Sequence, residues 1–116
     1  MDAASMKIYA FDVDDTLDVS GGPVSLAQLA RLRLNGHVVG LCGNYAVFCQ
    51  KVKEWHRLIS FIGAIGTSKA AFLSNLKVFL RPYDSYVMVG NEIDKIEAHN
   101  AGWEFVYAED FKEGLE

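Results

Sequence analysis

The chain has 116 residues, 51% of them hydrophobic and 22% charged, with fifteen acids against eleven bases for a formal charge of −4. That length and apolar content describe one domain, residues 1–116, with a real core, and exclude a disordered polymer. No apolar run approaches the roughly 18–20 residues of a bilayer-spanning helix, and an acidic chain with scattered bases is poorly suited to nucleic acid, whose affinity comes from neutralising phosphates.

Five short apolar runs alternate with stretches of helical period. Lys7–Val13 (KIYAFDV) reads as a first strand ending in acids. The first helix follows, headed by a capping box of Ser25 and Gln28 and stopped at Asn35-Gly36. Val38–Cys42 (VVGLC) is the second strand, closed by Gly43-Asn44. Phe48, Val52, Trp55 and Ile59 then share one face of a second helix. Phe61–Ile65 (FIGAI) is read as a third strand. A third helix carries Phe72, Leu76, Phe79 and Leu80 on its apolar face, with Thr67 or Ser68 as N-cap. Tyr86–Val89 is a fourth strand, Glu92 to Ala101 a short helix ending at Gly102, and Trp103–Tyr107 a fifth strand. Continuous apolar runs bounded by Gly are how strands buried on both faces look. The alternation implies an α/β domain: a doubly wound, Rossmann-like parallel sheet of about five strands with flanking helices and right-handed crossovers.

Ligands of open α/β sheets bind beyond the carboxyl ends of the strands, so the residues at those ends matter most. The first tip carries Asp12, Asp14, Asp15 and Asp18; the second Cys42, Gly43 and Asn44. The third leads through Gly66 to Lys69, the fourth offers Gly90, Asn91, Glu92 and Asp94, and the fifth Glu109 and Asp110. Two unit charges about 4 Å apart repel by about 4 kcal/mol at an effective dielectric near 20. Either some of the first four acids are protonated, or a cation sits among them, or they point different ways. A hard cation such as Mg²⁺ suits such oxygen donors and often holds a substrate phosphate as well. His37, His56 and His99 have no ligand-like spacing, and Cys42 and Cys49 form no disulfide framework. With no signal segment read at the start, a reducing cytosol is the expected compartment.

Phe11–Leu17 (FDVDDTL) resembles the first signature of the haloacid dehalogenase (HAD) superfamily, hydrophobics followed by D-x-D-x-T. The resemblance runs from Lys7 to about Phe111. It implies a Mg²⁺-dependent phosphohydrolase in which Asp12 is the nucleophile, forming an aspartyl-phosphate, and Asp14 the general acid/base. Crowding by like charges favours the protonated form that such an acid needs. The family's second signature, a Thr or Ser that bonds the phosphoryl group, aligns with Cys42. A thiol is a weak donor, so the backbone N–H groups of Gly43 and Asn44 take a larger share of anion binding. Lys69 matches the third signature, with Ala70 in place of the usual Pro. The fourth, usually G-D with a further acid, reads Gly90-Asn91-Glu92-Ile93-Asp94. Asn91 stands where the family has a metal-binding Asp, with Asp94 or Glu92 to compensate. The resemblance thus implies metal ligation by Asp12, Asp14, Asn91 and Asp94.

Only Val19–Val24 (VSGGPV) separates the acidic tip from the first helix, and the third linker is equally short, so no cap domain is expected. An open site suits large or exposed phosphorylated substrates, or a second subunit of a homo-oligomer acting as lid. The alternative function is a catalytically weakened HAD-like module that binds phosphate or protein. A response-regulator receiver needs an Asp at the end of its third strand, which Gly63-Ala64-Ile65-Gly66 does not provide. Cysteine catalysis at Cys42 lacks a following Cys-x5-Arg loop.

Overall fold

The computed structural model describes residues 6–80 and 82–115. Four parallel strands, β1 (Lys7–Phe11), β2 (Val38–Leu41), β3 (Ser85–Gly90) and β4 (Glu104–Tyr107), form one sheet in the order β2-β1-β3-β4. Helices α1 (Leu26–Leu34), α2 (Tyr45–Lys51), α3 (Lys69–Phe79) and α4 (Glu92–Asn100) alternate with them. Side chains alternate across a strand, and the core divides accordingly. Tyr9, Phe11, Val39, Leu41, Val87 and Val89 pack with Leu29 and Leu32 of α1 and Phe48 of α2. Ile8, Ala10 and Met88 pack on the opposite face with Leu73 of α3 and Ala98 of α4. Both faces of the sheet are therefore covered by helices. Burying each large side chain of these layers contributes about 1.5–3 kcal/mol.

The anticipated caps are present. Ser25 Oγ accepts the Gln28 N–H at 3.1 Å, Gln28 Oε1 accepts the Ser25 N–H at 2.9 Å, and α1 stops before Asn35. Ser68 Oγ accepts the Ala71 N–H at 3.2 Å and so fixes where α3 begins.

Three expectations are corrected. The run Phe61–Ile65 is not a full fifth strand among the described residues. It joins β2 through one bridge, Gly40 to Phe61, with the Leu41 N–H donated to the Phe61 carbonyl and the Gly43 N–H to that of Gly63. The backbone then turns at Ala64, which takes a left-handed conformation at φ 77°. The second helix stops at Lys51; Glu54 is left-handed at φ 57°, and a 3-10 turn follows over Trp55–Arg57. Val52, Trp55 and Ile59 still reach the core, because the break folds the chain back toward the point where Phe61 meets β2. Phe79, expected on the buried face of α3, is 79% exposed, while Leu73 takes the fully buried place.

The strand order places the chemistry. The chain passes from β1 outward to β2, then returns to build β3 on the other side of β1. Such a reversal opens a crevice beyond the carboxyl ends of the two central strands. Residues 12–17 and 90–94 lie at that crevice.

Candidate functional site at the tips of the central strands

Asp12 is the first residue beyond β1, and its N–H is donated to the Val89 carbonyl of β3 at 2.9 Å. The backbone then turns tightly, with the N–H groups of Thr16 and Leu17 both donated to the Val13 carbonyl. This turn brings the Thr16 hydroxyl back over the carboxylate, where Oγ1 donates to Asp12 Oδ2 at 3.2 Å. Asp15 absorbs the turn at φ 58°, a conformation that Asp tolerates better than most residues. Thr16 is a site residue by geometry that the motif contained without a role assigned to it.

Lys69, the first residue of α3, reaches across the sheet edge. Its Nζ lies 2.9 Å from Asp12 Oδ1 and 2.5 Å from Asp94 Oδ1. The helix that carries it is tied to α4, since the Ala70 N–H is donated to Glu97 Oε1 at 2.8 Å. A proline at position 70 would have no N–H to give, so Ala70 is what permits this contact. Glu97 is a positioning residue that the sequence did not single out.

The structure gives Asp94 a different place from the expected metal ligand. It is 1% exposed, its Oδ1 accepts from Lys69, and its Oδ2 accepts the Asn91 N–H at 3.0 Å as part of a capping box at the head of α4. Both oxygens are engaged. Gly90 makes this approach feasible, because a Cβ there would lie 2.4 Å from Asp94 Oδ2. Gly43 has the same function for the nucleophile candidate: a Cβ would lie 2.6 Å from Asp12 Oδ1.

Of the four acids at the first tip, two face the same space. Asp12 and Asp14 line a cavity of about 300 Å³ together with Gly43, Asn44, Lys69 and the loop Ala64–Gly66. Asp15 and Asp18 are exposed and line none of it. Asp14 is exposed as well; its Oδ2 accepts from Asn44 Nδ2 at 3.3 Å. A larger groove of about 470 Å³, between Arg33 and Arg57, carries no carboxylate and lies apart from these residues.

The second strand tip contributes less than expected. Cys42 is fully buried in the core layer of Leu73 and Met88, does not line the cavity, and burial pushes its thiol up to about 12. It is a core residue, not a phosphoryl donor. The Gly43 N–H is committed to the Gly63 carbonyl at 2.9 Å, so it is not free for an anion. Asn44 remains at the cavity through its side chain.

Two buried carboxylates share one ammonium. Burial holds the Asp12 carboxyl above its usual range; the Lys69 hydrogen bond opposes that shift and the Asp94 charge adds to it. Burial alone would lower Lys69, but its bonds to Asp12 and Asp94 outweigh it and keep the side chain protonated. Lys69 is therefore a fixed cation.

Among the described residues no group of three or more His, Cys, Asp or Glu side chains is arranged to hold a metal. Three oxygens do converge at one point beside Asn91: Asp12 Oδ2, the Asp14 carbonyl and Thr16 Oγ1 lie 3.5, 3.2 and 3.1 Å from Asn91 Nδ2. The Asn91 group that faces these oxygens is its NH₂; with the carboxamide turned over, its oxygen would complete an all-oxygen set with one carboxylate, of the kind that Mg²⁺ takes when water and substrate phosphate fill the rest of its shell. Glu92 lies outside the set, its Oε1 accepting from the Tyr107 hydroxyl at 2.5 Å.

No helix among the described residues is long and apolar enough to cross a membrane. Comparison of the chain with protein-family models, with curated proteins and with solved structures finds no match in any of the three.

Proposed function

We propose that this chain is a Mg²⁺-dependent phosphohydrolase of the HAD type, with a HAD-like fold lacking a cap, working on a phosphorylated substrate through Asp12. The observation that carries the reading is a carboxylate fixed at the central strand tip by Lys69 and Thr16, with one oxygen facing an open cavity. The free thiols of Cys42 and Cys49 are in keeping with a cytosolic setting.

The two oxygens of Asp12 have separate surroundings. Oδ2 faces Thr16 and Asn91, whereas Oδ1 faces Lys69 and the space kept open by Gly43. Oδ1 is therefore the attacking atom. It forms a bond to phosphorus as the bond to the ester oxygen breaks, and the departing oxygen takes a proton from Asp14 on the solvent side of the cavity. A water molecule then attacks the phosphorus of the aspartyl-phosphate and gives its proton to the Asp14 carboxylate. The acyl–phosphate bond breaks at phosphorus, and Asp12 and inorganic phosphate are released. Lys69 holds Asp12 in place and supplies one positive charge to the incoming phosphate. Asp12, the Asp14 carbonyl and Asn91 are the groups that would hold Mg²⁺, which would supply the remaining charge that offsets repulsion between two anions.

Hydrolysis of an aryl phosphate in the presence of MgCl₂ tests the reading. Release is expected from the wild type and abolished in Asp12→Asn; equal release from both would overturn it. A second reading, a weakened module that binds phosphate without turning it over, is favoured by one observation. Asn91 and the buried Cys42 take two places where the family places a metal-binding carboxylate and a hydroxyl. Phosphate binding with no release at any Mg²⁺ concentration would support that second reading.

A further inference from the structure

The terminal nitrogen of Asn91 occupies the point where the oxygens of the site converge. It lies 3.1 Å from Thr16 Oγ1, 3.2 Å from the Asp14 carbonyl oxygen and 3.5 Å from Asp12 Oδ2. A carboxamide NH₂ carries two hydrogens, and a carboxylate at the same position carries none. Asp12 and Asp14 therefore meet a donor that is part of the chain. Asp94 cannot take over the place of a second anionic ligand, because Lys69 and the Asn91 N–H already occupy its oxygens.

We propose that the Asn91 side chain is a built-in competitor for the divalent cation. In the free protein its two N–H hydrogens are shared among the three oxygens that the cation would use. A cation enters only when the carboxamide turns over and presents Oδ1 in place of Nδ2, giving up these hydrogen bonds. The free protein is accordingly indifferent to Mg²⁺, and the cation is recruited together with a phosphate whose own oxygens complete its shell. This inference rests on the proposed function only for the identity of the ligands.

The experiment is thermal unfolding with and without MgCl₂, together with calorimetric titration of MgCl₂ alone into wild type, Asn91→Asp and Asn91→Ala. Without cation, both variants should melt below the wild type: Asn91→Ala loses the donated bonds, and Asn91→Asp sets a second carboxylate against Asp12. At about 10 mM Mg²⁺ the wild type should move by no more than about 1 °C, while Asn91→Asp gains several degrees by preferential binding to the folded state. Titration should show affinity at least about tenfold higher in Asn91→Asp, as expected from one added ligand charge. The proposal is overturned if Asn91→Ala melts with the wild type, or if the wild type binds Mg²⁺ as tightly as Asn91→Asp. If Asn91→Asp does not fold, submillimolar Mg²⁺ binding by the wild type alone overturns it, and an unmoved wild type with a destabilised Asn91→Ala upholds it. None of these readings involves turnover, so a lack of phosphatase activity would count against the proposed function and leave this inference standing.

Discussion

Replacing Lys69 by Met removes the ammonium while keeping most of the apolar stem, and leaves two carboxylates facing each other at the strand tips. The side chains of Asp12 and Asp94 are only 10% and 1% exposed. Breaking a buried ion pair from one side costs about 3–5 kcal/mol, chiefly because the remaining charge loses its compensation. Lys69 is itself 22% exposed, so water relieves part of that cost and about 3 kcal/mol is expected at pH 8. For a chain of this size that is a fall in Tm of about 12 °C. The loss should depend on pH with a definite sign. Without Lys69, the bond that opposes the effect of burial on Asp12 is gone, and that carboxyl lies further above the unfolded value near 3.9. The folded variant then binds protons that the unfolded chain does not, and its deficit shrinks as pH falls from 8 to 5. Adding Asp94→Asn, which removes one charge and keeps an acceptor for the Asn91 N–H, should restore part of the loss at pH 8 and little at pH 5. Urea denaturation of the wild type and both variants at the two pH values measures these differences. A loss below about 1 kcal/mol at both pH values, the size of an exposed pair, would refute the view of Lys69 as the counter-charge of two buried acids.

Other consequences are equally direct. Gly43→Ala should abolish Asp12-dependent hydrolysis, because its Cβ would lie 2.6 Å from Asp12 Oδ1; a variant with wild-type kcat would show that the attacking oxygen does not face this glycine. Because burial raises Asp12, and Asp94 adds to the shift, the acid limb of kcat/KM should lie above the ordinary carboxylate range. Asp94→Asn should move that limb to lower pH, a displacement visible even in a slow variant. Thiol labelling of the native protein should occur at Cys49 and spare Cys42, which is fully buried with its thiol pushed up to about 12; peptide mapping that finds Cys42 labelled first would contradict its place in the core.

The layers were legible in the sequence because period and caps coincided. Ser25-x-x-Gln28 and Ser68 mark helix starts at which side-chain and backbone groups bond locally, so no tertiary information was needed. Phe61–Ile65 carries the same apolar signal as the real strands. What decides its fate is the left-handed turn at Ala64 and the one-sided partner β2, and neither is visible in a hydropathy pattern. Phe79 fits the helical stripe, yet the covered face runs through Leu73, Leu76 and Leu80 and leaves Phe79 toward solvent.

At the strand tips, the sequence placed the acids together but could not distribute them. Asp12 and Asp14 share the cavity while Asp15 and Asp18 turn to solvent, a division set by the tight turn at Thr16. The role of Asp94 depends on the reach of Lys69 from a helix far away in sequence, and that of Cys42 on which face of β2 is covered by α3. Long-range packing fixes both. Glu97 had a weak local signal, since a non-proline residue after Lys69 retains an N–H that needs a partner.

Covalent capture of phosphate on the protein tests the central proposal most directly. After acid quenching of the chain mixed with an aryl phosphate and MgCl₂, mass spectrometry should find one phosphoryl group on the peptide containing Asp12, and none in Asp12→Asn. Phosphate release without any such adduct, or an adduct that persists in Asp12→Asn, would contradict the assignment of Asp12 as nucleophile.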